Sequence, residues 1–110
     1  MLLGELYPHV YLNMKVSIIM PYYNAAAYIH ETVEAIIDQT FQDWELIIVD
    51  DCSPAPETAN VLDQVKAMDN RIKVIHAEKN GGAGLARNIG IKAVDISAFA
   101  IVMIGGILQN

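Results

Sequence analysis

The 110-residue chain has little of several things, and each shortage excludes a class of function. It has one cysteine, Cys52, so it forms no internal disulfide and no cysteine metal cluster, which fits a reducing cytoplasm. It has no run of basic residues and a formal net charge of -6, so nucleic acid is not an expected partner. No basic stretch opens it: "MLLGELYPHVYLN" carries Glu5 and Pro8 and makes a poor signal peptide. No charge follows Asp95, yet the apolar part of Ile96 to Asn110 falls short of the roughly 20 residues that a membrane-spanning helix needs. A buried strand is the expected reading there, with contact at the inner membrane face as the lesser one. The three histidines, His9, His30 and His76, lack metal-ligand spacing, and no serine or cysteine nucleophile has a partner set. There is no internal repeat and no low-complexity segment.

What is present is apolar and periodic. Hydrophobic residues make up 54% of the chain, enough for one core and too many for a disordered segment. Val16–Met20, stopped by Pro21, reads as a strand buried on both faces. Asn24 is a candidate cap for a helix carrying Ile29, Val33, Ile36 and Ile37. Trp44–Val49 is a second buried strand. Ser53-Pro54 then looks like the cap and first turn of a helix with Val61, Leu62, Val65 and Met68 on its stripe. Arg71–His76 holds a third strand with Ile72, Val74 and His76 toward one face. The breaker cluster Asn80–Gly84 precedes a helix carried by Leu85, Ile89 and Ala93, and Ala98–Ile104 is a fourth strand before Gly105-Gly106. Strands alternating with helices imply parallel pairing with right-handed crossovers. The expected fold is a three-layer α/β/α, Rossmann-like domain with a mainly parallel sheet.

In such sheets ligands sit outside the carboxyl ends of the strands. Three loops leave those ends. The first, "PYYN", lacks the Gly-x-Gly-x-x-Gly of a dinucleotide-binding turn, and instead of an acidic cluster that a phosphoacceptor receiver would need it offers aromatic faces that can stack on a base or cover the sheet. The second holds Asp50-Asp51. Paired carboxylates can hold a divalent metal, accept hydrogen bonds from a base or sugar, or satisfy backbone donors in a turn and cap. The third, "NGGAGLARNIG", lets backbone approach a ligand and places Arg87 on the first turn of a helix whose amino end favours anions. No Gly-Lys-Ser/Thr follows, so it is not a P-loop.

Together, "KVSIIMPYYNAAAYIHETVEAIIDQTFQDWELIIVDDCSP" and "RIKVIHAEKNGGAGLARNIGIKA" resemble the amino-terminal half of family 2 glycosyltransferases of the GT-A fold, from about Lys15 to about Ala93. The resemblance implies transfer of a sugar from a nucleotide-activated donor, often UDP-linked, to an acceptor hydroxyl. It implies that Tyr23 stacks near the base, Asp51 accepts a hydrogen bond from it, Asp50 supports the turn, and Pro21 and Tyr22 line the pocket beside Asn24. Gly82 belongs to the glycine loop, and Arg87 resembles the arginine near the donor phosphates. It also implies a divalent metal, Mg or Mn, on a D-x-D motif after the fourth strand. "VDISAFAIVMIGGILQN" has no such motif, and Asp95 precedes the strand rather than following it. The expectation is therefore a nucleotide-sugar-binding half over residues 15–104, with an amino-terminal extension (1–14) and a tail (105–110), and no catalytic residue of its own. A truncated gene product, a frame change near Val94, or a diverged non-catalytic module that binds a nucleotide or associates through its sheet edge would each account for it. The sugar, the acceptor glycan or lipid, and the stereochemical outcome are not legible.

Overall fold

A computed structural model describes residues 15–95 and 98–104. The expected extension (1–14) and tail (105–110), with Gly105-Gly106, lie outside the described residues. The order is β1 (Lys15–Tyr22), α1 (Ile29–Asp38), β2 (Trp44–Asp50), α2 (Thr58–Lys66), β3 (Ile72–His76), α3 (Gly82–Lys92) and β4 (Ala98–Met103). The four strands form one sheet in the order β3-β2-β1-β4, with every neighbouring pair parallel.

That order explains the layers. The connections through α1 and α2 step from β1 toward β3, whereas the connection through α3 runs back past β2 and β1 to β4. Connections of one hand that run in opposite directions must cross opposite faces. Ile29, Val33 and Ile36 of α1 and Leu62 and Val65 of α2 accordingly share a core with Ile18, Met20, Leu46, Ile48 and Ile72. On the other face Ala86 of α3 packs with Ile47 and Val49, and Ile89 and Ala93 pack against them. The helix-side stripes expected for α1 and α2 are those observed, because apolar side chains at i, i+3, i+4 and i+7 leave no other face to bury.

Four local expectations are corrected. Pro21 does not stop β1, which runs through Tyr22. The Ile104 amide bonds the Ile19 carbonyl, so Ile19 faces β4; Pro21, two residues on, faces the same side beyond the last β4 pair, Ile19 with Met103. A missing N–H there costs no ladder bond. Asn24 does not cap α1, which has no side-chain cap, because its Oδ1 accepts the Ala55 amide instead. Ser53-Pro54 does not open α2, which starts at Thr58, because the Ser53 hydroxyl already accepts the Asn24 amide.

The fourth concerns α3. It begins inside the glycine cluster at Gly82, and Leu85 is exposed rather than on the core stripe. The inward residues are Ala86 and Gly90 because this helix lies close to the sheet: a Cβ at Gly90 would stand 2.5 Å from Ile19 Cγ2. With α3 starting at Gly82, Arg87 falls on its second turn rather than its first.

Candidate functional site

The strand order turns back between β1 and β4, so the ligand crevice of this architecture opens at the carboxyl ends of those strands and their neighbours. The three loops expected to converge there are bonded to one another. Loop one meets loop two where the Asn24 amide donates to Ser53 Oγ at 3.0 Å and Asn24 Oδ1 accepts the Ala55 amide at 3.3 Å. Asn24 has φ +48, and an asparagine tolerates that left-handed backbone where most side chains do not. The Asp51 amide donates to the Tyr22 carbonyl at 2.9 Å, which carries the strand pairing one residue past β2.

Loop two meets loop three through Asp51. Asp51 is 2% exposed, and its carboxylate accepts the Gly81 amide at 2.8 Å on one oxygen and the Gly82 amide at 2.9 Å on the other. Asn80 Nδ2 donates to the Asp51 carbonyl at 3.2 Å. Gly82 has φ +86, which only glycine adopts without strain, so the amide is presented by a turn built for that residue. Two donors at the amino end of α3 are thus satisfied from outside the helix.

Asp50 does different work one residue earlier. Its Oδ1 accepts the Ser53 amide at 3.0 Å, closing an Asx-type turn, and its Oδ2 lies 2.9 Å from His76 Nδ1. An ionised carboxylate only accepts, so His76 presents Nδ1–H to it and the pair closes the end of β2 onto β3. Tyr22, Asp50 and His76 stand at one register level across β1, β2 and β3. Tyr22 is fully buried, and its hydroxyl makes no well-aligned hydrogen bond among the described residues, with the Ala25 amide beside it as a weak partner. Burial raises its phenol above the usual range, the nearby Asp50 charge raises it further, and the Ala25 amide offsets only part of this.

Of the site residues read from the sequence, Pro21 and Tyr22 are buried at the end of β1, and Tyr23 and Asn24 are half-buried in the loop after it. Asp50 and Asp51 are buried, Gly82 is exposed, and Arg87 is half-buried with no ion pair among the described residues. Sequence reasoning missed Ser53, Ala55, Asn80 and His76. His76 had a partial signal: its alternation with Ile72 and Val74 gave it a face at the end of β3, and the β2–β3 register sets it level with Asp50.

A polar cluster at the opposite end of the strands holds the scaffold. Glu45, 2% exposed on β2, accepts the Ser17 hydroxyl from β1, Lys73 Nζ from β3 at 3.0 Å and the Asp95 amide at 3.0 Å. Burial pushes this carboxyl up, but the Ser17 hydroxyl, the Asp95 amide and the Lys73 ammonium outweigh it, and the net shift is downward. Asp95, which carries an ion pair to Lys15 at 3.3 Å, sits at this end and not at the ligand end.

A doubly wound parallel sheet with stitched loops at its carboxyl ends defines the class: a partial Rossmann-like GT-A domain, with its crevice where the strand order turns. The chain belongs to glycosyl transferase family 2, whose sequence model matches residues 17–102. That match runs to residue 102 in β4, past Ala93, where the resemblance was expected to end.

The glycosyltransferase GlyG of Streptococcus pneumoniae is 39% identical over 87 residues, which are 79% of this chain and 29% of that protein. TuaG of Bacillus subtilis, named for teichuronic acid biosynthesis, is 49% identical over 73 residues, 66% of this chain and 29% of TuaG. The crystal structure of S. aureus TarS 1–349 in complex with UDP-GlcNAc aligns with a TM-score of 0.72 and 32% identity, covering 84% of this chain and 26% of that one. A Pyrobaculum calidifontis mannosyltransferase structure containing GDP-Man and Mn2+ aligns with a TM-score of 0.66 at 21% identity and shares the fold. The chain spans 29% of the length of GlyG and of TuaG.

The family commonly uses a divalent metal, and the residues described here do not fit one. Asp50 is bonded to Ser53 and His76, and both Asp51 oxygens are bonded to loop amides. No group of three or more His, Cys, Asp or Glu among the described residues is placed to hold an ion. Also among the described residues, no helix is long and apolar enough to cross a membrane.

Proposed function

We propose that residues 15–104 form the donor-nucleotide half of a family 2 glycosyltransferase, binding the nucleoside diphosphate of a sugar donor, UDP first among them. The observation that carries this reading is the joining of three loops at one sheet end: Asn24 to Ser53 and Ala55, and Asp51 to Gly81 and Gly82. The UDP-GlcNAc complex of TarS, alike in fold, supports the choice of nucleotide. In this reading Tyr23 offers the stacking face and Arg87 the cation for the phosphates. Pro21, Tyr22, Asn24 and Asp50 form the floor and hinge of the pocket, and Asp51 with Gly82 forms its wall. The reaction of the complete enzyme would be displacement at the anomeric carbon by an activated acceptor hydroxyl, with the metal and the base supplied from sequence that these residues do not include. The free, exposed Cys52 supports a reducing cytoplasmic setting.

Isothermal titration tests the reading: UDP binds at millimolar concentration or tighter, uridine binds more weakly, and no sugar transfer is detected. Absence of heat with UDP at millimolar concentration contradicts it.

A second reading rests on β4. Ile101, Val102 and Met103 are each more than 40% exposed on an outer strand, although successive residues point to opposite faces of a sheet. A strand that is uncharged and at the sheet edge among the described residues, with partly exposed side chains on both faces, favours association. This reading is an interaction module that joins other chains through β4. Light scattering after size exclusion separates the two, since a monomer at high concentration leaves only the first.

A further inference from the structure

The amino end of a helix that follows a glycine loop is the ordinary place for a phosphate, because its free amides and its dipole attract anions. Here two of those amides are taken. Asp51 lies on a different loop, yet it bonds the Gly81 and Gly82 amides with one oxygen each, at 2.8 and 2.9 Å, and Asn80 bonds its carbonyl at 3.2 Å. A buried carboxylate therefore holds the start of α3 in place and offsets its positive end. Five residues beyond Gly82, half-buried Arg87 has no ion pair among the described residues, so no protein carboxylate there competes for its charge.

We infer that Asp51 is a positioning residue: by anchoring the Gly81-Gly82 amides it fixes the first turns of α3 and so delivers Arg87 to the donor diphosphate. This rests on the donor-nucleotide reading and deepens it, since that reading gives Asp51 only the base or the pocket wall. The two roles predict opposite signs for one measurement. A carboxylate that only reads the base, or only lines the wall, repels a bound anion, so its removal tightens binding of inorganic pyrophosphate, which has no base. A carboxylate that positions Arg87 does the reverse, because its removal releases the helix that carries the cation.

The experiment titrates inorganic pyrophosphate and, separately, UDP into the full chain and its variants. Asp51→Asn keeps the size but replaces one acceptor oxygen with a donor that opposes a glycine amide. It is expected to weaken pyrophosphate about tenfold. Arg87→Ala is expected to weaken it by at least as much, and the double variant to be no weaker than Arg87→Ala alone, as for residues acting through one another. Should Asp51→Asn fail to fold by circular dichroism, Asn80→Ala decides. It loosens the same junction without changing charge, and the expected loss is about threefold.

Unchanged or tighter pyrophosphate binding in Asp51→Asn, or in Asn80→Ala where that variant decides, overturns the inference. So does additive loss in the double variant, and so does a wild-type chain that binds UDP but not pyrophosphate, a result that leaves the donor-nucleotide reading standing. A wild-type chain that binds neither overturns both.

Discussion

At the residue scale, neighbouring side chains of like chemistry have unlike environments. Asp50 and Asp51 are adjacent in sequence, yet one closes a turn onto β3 and the other holds the start of α3. Their separate donors are what allow two adjacent carboxylates to be buried together. Tyr22 is the opposite case, a buried hydroxyl with only the weak Ala25 amide contact beside it. A poorly satisfied buried hydroxyl costs up to about 1–3 kcal/mol, so Tyr22→Phe is expected to keep stability or raise it by up to about 1 kcal/mol, read as an equal or higher urea midpoint at unchanged slope. A lower midpoint would mean that the Ala25 contact is a full hydrogen bond. Gly90 makes the reverse prediction. A methyl group there meets Ile19 at 2.5 Å, and overpacking of this kind costs about 1–3 kcal/mol, so Gly90→Ala lowers the midpoint even though alanine is the better helix former.

At the element scale, what the sequence made legible follows period. The buried faces of α1 and α2 and the strand identities came from apolar spacing alone, because burial on one or two faces leaves a strong pattern. What it hid follows from long-range bonds. Asn24 and Ser53 have the chemistry of local helix caps, and a reader of sequence assigns them to the helix that follows; in the fold they bond each other's loops, and both helices start later without side-chain caps. The α3 stripe was misread at Leu85 because the close approach selects small residues, Ala86 and Gly90, which carry almost no hydrophobic signal. At the carboxyl end of the sheet, Asn24, Asp50 and Asp51 were legible as loop residues, and the groups they bond were not. Asp51 was visible as a carboxylate, but nothing local shows that Gly81 and Gly82 occupy it.

The turn before β3 carries a pH prediction at the same scale. Asp69 bonds the Arg71 guanidinium at 2.7 and 2.8 Å, and that guanidinium sits 3.7 Å over the Trp44 ring at the start of β2. The Arg71 side chain holds the Asp69 carboxyl down to about 2 from an ordinary 3.8. A folded value below the unfolded one contributes stability that is complete above about 3.8 and is lost as pH falls toward about 2. After screening at this partly solvated pair the amount is about 1 kcal/mol. Asp69→Asn should therefore lower stability at pH 6 and flatten its dependence on pH below 4 by about that much. An unchanged acid limb in the variant would show that the pair contributes nothing.

At the scale of the whole molecule, the two ends of the sheet have separate tasks. The amino end is tied by Glu45 to Ser17, Lys73 and the Asp95 amide, across three strands and the segment before β4. Glu45→Ala removes the acceptor of the buried Ser17 hydroxyl and of the Asp95 amide and is expected to cost about 1–3 kcal/mol while leaving nucleotide affinity unchanged once folding is corrected for, since the cluster lies away from the loops. The carboxyl end carries the three joined loops, and the central claim is that they act as one donor-nucleotide site. The most direct measurement is a 15N–1H NMR titration of the full chain with UDP. The account predicts that the amides of Tyr23, Asp51 and Gly81–Gly82 shift together along one binding curve, while those of Ser17, Glu45 and Lys73 stay still. Shifts confined to one loop, or spread evenly over both ends of the sheet, would contradict it.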